Sequence, residues 1–474
     1  MLGRQTQTPP KDSARLKSLY FLTWRWHFYA GLFVVPFMLM LSITGLVMLF
    51  DDEIELARYE PILKVIPEAN TTAPSEQLFN VKRALPTAEI TQFLPSQSDD
   101  MVNRFSIRFP DGEMRLVTVN PYSGEVLGQI DRSDSWYQLA NEIHGTLLMG
   151  DYGDYLIEVA ASLSIILLVT GMYLWLPLDN ARRAGFLRFR VSSGRRTFIR
   201  DLHSNLGGGL SLVLLFFILS GLAWAGIWGG KFVQAWSSFP AQKWEDVPLS
   251  SLSHKDLNHG SEEEMPWNLE QTPVPTSHGH HQMGENGRDV VEIVNQVNLD
   301  SIVKQAKLLG FQYYRVHFPR SETGVFTVSA NTMSGDITNP THDRTVHIDQ
   351  YSGQLLADVT WNDYNLVAKA MAAGIALHQG DVSVYNKVAN TLICISFIVL
   401  AITGLFMWWV RRPSGQGKLG VPPTFSSAGV WKTGVISIVI VSVLFPLAGV
   451  SIILALLVDW LLFSRFGRLK LVFS

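Results

Sequence analysis

RDLHSNLGGGLSLVLLFFILSGLAWA, residues 200–225, decides how this chain is read. From Leu206 onward it is apolar apart from serines and glycines. It is long enough for a hydrocarbon core about 30 Å thick, which takes about 20 helical residues. Yet a histidine, His203, stands at its mouth. The layout recurs at 25–50, RWHFYAGLFVVPFMLMLSITGLVMLF, where His27 leads. Each reads His-x-x-x-Gly, to Gly31 and Gly207, and eighteen residues after each histidine comes another glycine, Gly45 and Gly221. An imidazole at the edge of a span, twice and in equal register, needs a chemical reason.

Apolar runs near 28–50, 156–178, 205–229, 386–410 and 430–463 are each long enough to cross a bilayer, which makes this an integral membrane protein with a helical bundle. The first run is too long for a secretory signal and has no small-residue cleavage site behind it. With 474 residues, two or more structural units are expected. A net charge of −3 suggests no nucleic-acid role, and lipid is the first partner. The lone cysteine, Cys394, excludes disulfides, thiolate metal sites and iron–sulfur clusters. Redox chemistry would need a histidine-bound metal or an organic cofactor.

Loop charge orients the spans. Arg4, Lys11, Arg15, Lys17 and Arg25 precede the first, and seven arginines between Arg182 and Arg200 follow the second. Arg411, Arg412 and Lys418 follow the fourth, and Arg465, Arg468 and Lys470 close the chain. The positive-inside bias makes these cytoplasmic. The expected order is a leader (1–24), a first span (25–50), an external module (51–154), a second span (155–178), a basic loop (179–202) and a third span (203–229). A second external segment (230–385), a fourth span (386–410), a loop (411–429), a hydrophobic hairpin (430–463) and a cytoplasmic tail (464–474) complete it. One kinked helix at 430–463, around Pro446 and Gly449, is the alternative to the hairpin.

The chain repeats itself. IHGTLLMGDYG at His144 is matched by LHQGDVSVYN at His378, each followed by Thr-Gly (Thr170-Gly171, Thr403-Gly404) and then a tryptophan, Trp175 or Trp408. VTVNPYSGEVLG (117–128) resembles VHIDQYSGQLLA (346–357). The order is span, external module, span, twice over. Each module reads as a small α+β unit. Helices are expected at 75–84 and 299–309, strands in NRFSIRF, MRLVTV, QYYRVHF and GVFTVSA, and turns at the Tyr-Ser-Gly triplets. The polar tract from Lys231 to Asn295 reads mostly as an irregular linker.

His27 and His203 thus begin two spans at one face, and His144 and His378 precede two spans at the other. Zinc or copper would usually want three or four ligands. Two imidazoles facing each other suit a six-coordinate haem iron. Gly31 and Gly207 lie one turn beyond their histidines and leave room for a flat macrocycle, or for close helix packing. Arg25 and Arg200 are placed to meet haem propionates, or to anchor the helix ends.

The HGTLLMGDYG element, the TGMYLWLP ending and the paired Tyr-Ser-Gly modules resemble the PepSY-associated transmembrane family over about Trp24 to Arg412. That resemblance implies a helical transmembrane bundle of four core spans in two repeats with two periplasmic PepSY-like modules. It also implies an inner-membrane protein of iron uptake, with two b-type haems, that reduces ferric siderophores. The second half departs from the pattern, His378 being followed by QGDVSV.

The expected mechanism is an electron conduit. A haem on His27 and His203 receives electrons from a cytoplasmic reductant or quinol, since no Gly-x-Gly-x-x-Gly follows a strand. A second, on His144 and His378, reduces a periplasmic acceptor resting near Trp136, Tyr137, Tyr313, Tyr314 and Arg315. The rival is a membrane-anchored PepSY regulator or peptidase inhibitor without turnover. A third reading is metal binding by His278, His280 and His281 with Glu262, Glu263 and Glu264.

Overall fold

The computed structural model describes residues 11–237, 241–244, 247–259, 264–277, 297–412, 420–422 and 430–458. In chain order its helices are α1 (Lys11–Leu49), α2 (Asp51–Leu63), α3 (Pro74–Ala84), α4 (Trp136–Thr146), α5 (Asp151–Trp175) and α6 (Asn180–Arg183). Then come α7 (Arg195–Gly209), α8 (Ser211–Leu222), α9 (Leu299–Leu308), α10 (Leu366–Gln379), α11 (Val384–Arg411), α12 (Val430–Leu444) and α13 (Pro446–Val458). The strands are β1 (Glu89–Leu94), β2 (Asn103–Arg108), β3 (Met114–Val119), β4 (Val126–Asp131) and β5 (Leu249–Ser253). They continue with β6 (Pro273–Pro275), β7 (Arg315–His317), β8 (Val325–Ala330), β9 (Arg344–Asp349) and β10 (Leu355–Thr360). Two compact units result: a helical unit of Met1–Leu46, Asn141–Gln234 and Thr391–Ser474, and a sheet unit of Val47–Ala140 and Ala235–Asn390.

Among the described residues three helices are long and apolar enough to cross a membrane: α1 from Lys17, α5 and α11. A fourth exists only if α7 and α8, bent by 59°, count as one span. The single helix expected over 203–229 is therefore broken, and Gly207-Gly208-Gly209 is the reason. Glycine is a weak helix former, and the Trp175 indole occupies the space a side chain at Gly208 would need. Trp175 is pinned there by donating from Nε1 to Asn205 Oδ1 at 3.0 Å. Past α8 the backbone turns irregular, and α5 caps it. Asp154 accepts from the Gly226 N–H at 2.7 Å, and Glu158 from those of Ile227 and Trp228 at 2.9 and 3.1 Å. In the expected hairpin, α12 and α13 have 15 and 13 residues and part at Phe445, where Pro446 opens the new helix. α12 begins and α13 ends at the edge of the described residues. Residues 1–10 and 459–474 lie outside the described residues.

In the sheet unit the expected helices at 75–84 and 299–309 are α3 and α9. Leu299, Ile302, Val303 and Ala306 give α9 its buried stripe at helical spacing. Both Tyr-Ser-Gly triplets are turns, with Gly124 at φ +73° and Gly353 at φ +68°. The two α+β segments are not separate modules, however. They form one antiparallel sheet of eight strands, ordered β10-β9-β8-β7-β1-β2-β3-β4. The seam pairs the first strand of each half, with Gln92 opposite His317 and Phe93 opposite Val316. Equivalent strands running antiparallel across a seam imply a local two-fold between the halves.

Period-two alternation divides the sheet. Phe93, Phe105, Ile107, Val117, Val316, Val328 and Val346 join Val81 of α3 and the stripe of α9 in one apolar core. The opposite face carries Gln92, Ser106, Thr118, His317, Thr327 and His347, all buried. Their cover is the polar tract read as a linker. Within it, His254, His259, Glu264, Met265 and Leu269 are buried, and β5 pairs with β6. The described part of that tract, 247–259 and 264–277, is a strap. It lacks a hydrophobic period because much of what it buries is polar.

Candidate functional site

In the helical unit the His27 and His203 rings lie edge-on to one another, 6.4 Å between centroids and 85° between planes. Each ring is held by a Thr-Gly step of another helix. His27 Nδ1 lies 3.1 Å from Thr170 Oγ1 on α5, and His203 Nδ1 lies 3.1 Å from Thr403 Oγ1 and from the Leu400 carbonyl on α11. Neither next residue has room for a side chain at ease. A Cβ at Gly171 would stand 3.1 Å from His27 Cε1, and one at Gly404 3.2 Å from His203 Cε1.

These bonds fix the tautomer. A threonine hydroxyl has one hydrogen. That of Thr170 goes to the Ile166 carbonyl at 2.5 Å and that of Thr403 to the Val399 carbonyl at 2.7 Å. Each Oγ1 therefore offers the imidazole a lone pair, so Nδ1 carries the hydrogen and donates. A carbonyl can only accept, and Leu400 makes the same assignment for His203 independently. Nε2 is then the bare nitrogen, as in a histidine oriented for metal ligation by a partner behind it.

The spacing is compatible with one metal ion held by both rings. Metal–nitrogen bonds of about 2 Å, with ring centres about 1 Å farther back, would put two imidazole centroids about 6 Å apart. His144 has the same support: in the last turn of α4, its Nδ1 lies 2.8 Å from Thr44 Oγ1, and Thr44 donates to the Met40 carbonyl at 2.9 Å. Gly45 follows, with its Cβ position 3.9 Å from His144 Cε1. His378 belongs to the sheet unit. It ends α10 before the left-handed Gly380 (φ +91°), and its carbonyl accepts from Asn390 at 2.9 Å.

The other expected residues are placed differently. A Cβ at Gly31 would touch Leu167 at 3.5 Å and one at Gly207 would touch Leu400 at 3.3 Å, so both glycines sit at helix contacts. Arg25 donates to the Pro422 carbonyl at 2.5 Å, and Arg200 to the buried Asp201 at 3.2 Å. Of the residues expected around the acceptor, Trp136 is exposed, whereas Tyr314 is buried and Arg315 is held in an ion network. His278, His280, His281, Glu262 and Glu263 lie outside the described residues.

Sequence reasoning missed two polar clusters under the strap. In one, Glu264 accepts from Arg132 at 2.9 Å, Arg315 at 2.8 Å, His259 Nδ1 at 2.6 Å and Gln92 at 3.1 Å. Burial alone would raise its carboxyl, but His259 and the two guanidiniums hold it well below the usual carboxylate range. His259, Glu264 and His317 bring ligand-type atoms within 4.8 Å of one another. A dication there would compete with two guanidiniums already on the carboxylate, so the donor set suits an ion network better than a metal. In the other cluster, Thr327 donates to His347 Nδ1 at 2.9 Å, His347 Nε2 to His254 Nε2 at 2.9 Å, and His254 Nδ1 to the Thr272 carbonyl at 2.7 Å. That order follows from the carbonyl, which can only accept. Both imidazoles are neutral, burial lowering His254 to about 4 and His347 well below its ordinary value.

A family model described as the PepSY-associated TM region matches residues 24–411. A comparison with curated proteins finds no match.

Proposed function

The chain belongs to the PepSY-associated TM region family, and from that premise we propose that it is a bacterial inner-membrane electron-transfer protein with two haem b groups. Its N-terminus is cytoplasmic, and it passes electrons outward to a ferric siderophore. The observation that carries the reading is the His27–His203 pair, 6.4 Å apart with both Nε2 atoms bare. Haem, when bound, supplies reversible one-electron transfer. A ferric chelate that accepts one electron becomes Fe(II), which hard oxygen donors hold far less tightly. Thr170 and Thr403 keep each proton on Nδ1, and Gly171 and Gly404 let each ring lie against its helix. The second haem, on His144 and His378, is proposed from the sequence repeat and from the Thr44-Gly45 support of His144. The donor is a cytoplasmic protein or a quinol.

The test is optical. Protein purified after haem-replete expression should show a reduced b-type spectrum, with two haems per chain by pyridine haemochrome. Dithionite-reduced protein mixed anaerobically with ferric siderophores and a ferrous trap should reoxidise as Fe(II) appears. A colourless preparation would refute the reading and favour a PepSY regulator without turnover. Coloured protein that stays reduced across a siderophore panel would assign another acceptor.

A further inference from the structure

We propose that Arg411 and Tyr173, rather than the expected Arg25 and Arg200, hold a carboxylate of the haem on His27 and His203. The inference rests on the reading above. Its observations are separate from the histidines.

Aromatic residues flank His27 along α1 of the helical unit. On α1, Tyr20 and Trp24 are neighbours, with ring centroids 6.2 Å apart. The Arg411 guanidinium, at the end of α11, lies over Trp24 at 4.8 Å and Phe28 at 5.1 Å, the residues that bracket His27 in sequence. Tyr173 stands one helical turn beyond Thr170, the residue that holds His27. The Arg182 guanidinium lies 5.4 Å from the ring centres of both Tyr20 and Tyr173.

Two donors of this group are buried without a hydrogen-bond partner among the described residues: Arg411 Nε and the Tyr173 hydroxyl. A buried donor left unmatched costs about 1–3 kcal/mol, so such groups usually have a partner. Three other cations of the helical unit are committed. Arg25 has the Pro422 carbonyl, Arg182 has Asp179 at 2.7 Å, and Arg200 has Asp201. A guanidinium with a free Nε and a phenol, set among aromatic rings, call for one chemistry: an anionic oxygen group on an otherwise apolar molecule. Arg411 can take a carboxylate side-on through Nε and one terminal nitrogen, the fork geometry that lysine lacks. A haem edge offers that group. A lipid phosphate is the other source of the same chemistry.

Haem and its dimethyl ester, in which both carboxylates are blocked, distinguish the two sources. Protein expressed under haem limitation is titrated with each in detergent, and binding is read from the Soret band. The native chain should prefer free haem roughly tenfold or more, the scale of a charge-assisted hydrogen bond. Arg411→Gln should abolish most of that preference while leaving binding of the ester unchanged. Tyr173→Phe should reduce it partly, and Arg411→Lys should restore only part. Unchanged ester binding also shows that each variant is folded. Full preference retained in both Arg411→Gln and Tyr173→Phe would overturn the assignment and leave the groups to lipid. Failure of the native chain to bind either compound would remove the haem reading itself, and this inference with it.

Discussion

Glu264→Gln should loosen the strap from the sheet by about 3–5 kcal/mol, the usual cost of removing one partner from a buried ion pair. The native cluster holds two guanidiniums, Arg132 and Arg315, against two carboxylates, Glu264 and Asp336. The amide removes one of these two carboxylates from among side chains no more than 11% exposed. Arg315 keeps Asp336 at 2.7 Å and the Ser334 carbonyl at 2.8 Å, and Arg132 keeps the Ser106 hydroxyl at 3.2 Å, so the loss is that of the charged contacts to Glu264 itself. The amide nitrogen also turns a donor toward groups that themselves donate. For a unit of this size the change corresponds to about 6–20 °C in melting temperature. Unfolding of the detergent-solubilised protein gives the global figure. Hydrogen exchange at Met265, whose N–H bonds to Asn258 at 2.9 Å, gives the local one. Glu264 has a depressed folded pKa, so its contribution is complete above the unfolded value near 4.3 and fades as pH falls below it. The variant should therefore lose that part of the acid limb. A change below about 1 kcal/mol at neutral pH, with an acid limb like the native one, would refute the keystone role.

Further outcomes concern other parts of the molecule. Mild acid should release the strap between about pH 6.5 and 4, since His254 and His347 fold neutral and protonate more readily when unfolded; strap exchange that is flat across this window would count against the neutral pair. Thr170→Val should weaken retention of the proposed haem 10–100-fold without unfolding the protein, as expected for the partner behind a ligating histidine, whereas Thr403→Val should weaken it less because the Leu400 carbonyl still holds His203 Nδ1; unaltered haem dissociation kinetics in Thr170→Val would contradict the tautomer assignment. Gly208→Ala should cost about 1–3 kcal/mol, because its methyl displaces the Trp175 indole; an unchanged melting curve would show that the bend does not depend on that contact.

How much of this was legible differs by residue. The four histidines stood out because a repeat made them comparable. The Thr-Gly steps were visible as repeat markers, yet their role was not, since sequence spacing does not say which helix faces which. Alternation found β7 on one side of the seam and missed β1 on the other. It could not say that β1 pairs with β7, because a free edge and a paired one carry the same pattern. It did hold one clue that went unused: in YYRVHF, Tyr314 and Val316 share one face with the apolar core, which puts Arg315 and His317 together on the other. The strap was misread because low hydrophobicity was taken for exposure. His254 and Glu264 are buried by pairing with polar partners, a matching that composition does not display.

The seam between β1 and β7 also has a consequence for how the chain is made. Gln92 and His317 are partners 225 residues apart in sequence. At a synthesis rate of roughly 5–20 residues per second, β1 exists for about 10–45 s before its neighbour does. For that time the first half carries an unpaired edge with Phe93 on its apolar side, the kind of surface that recruits another copy of the same strand. Gln92, buried in the finished fold, is then a polar residue on an open edge, and closure awaits the last third of the chain. Truncation before Arg315 should accordingly yield a product that self-associates, and supplying the missing half in trans should suppress it.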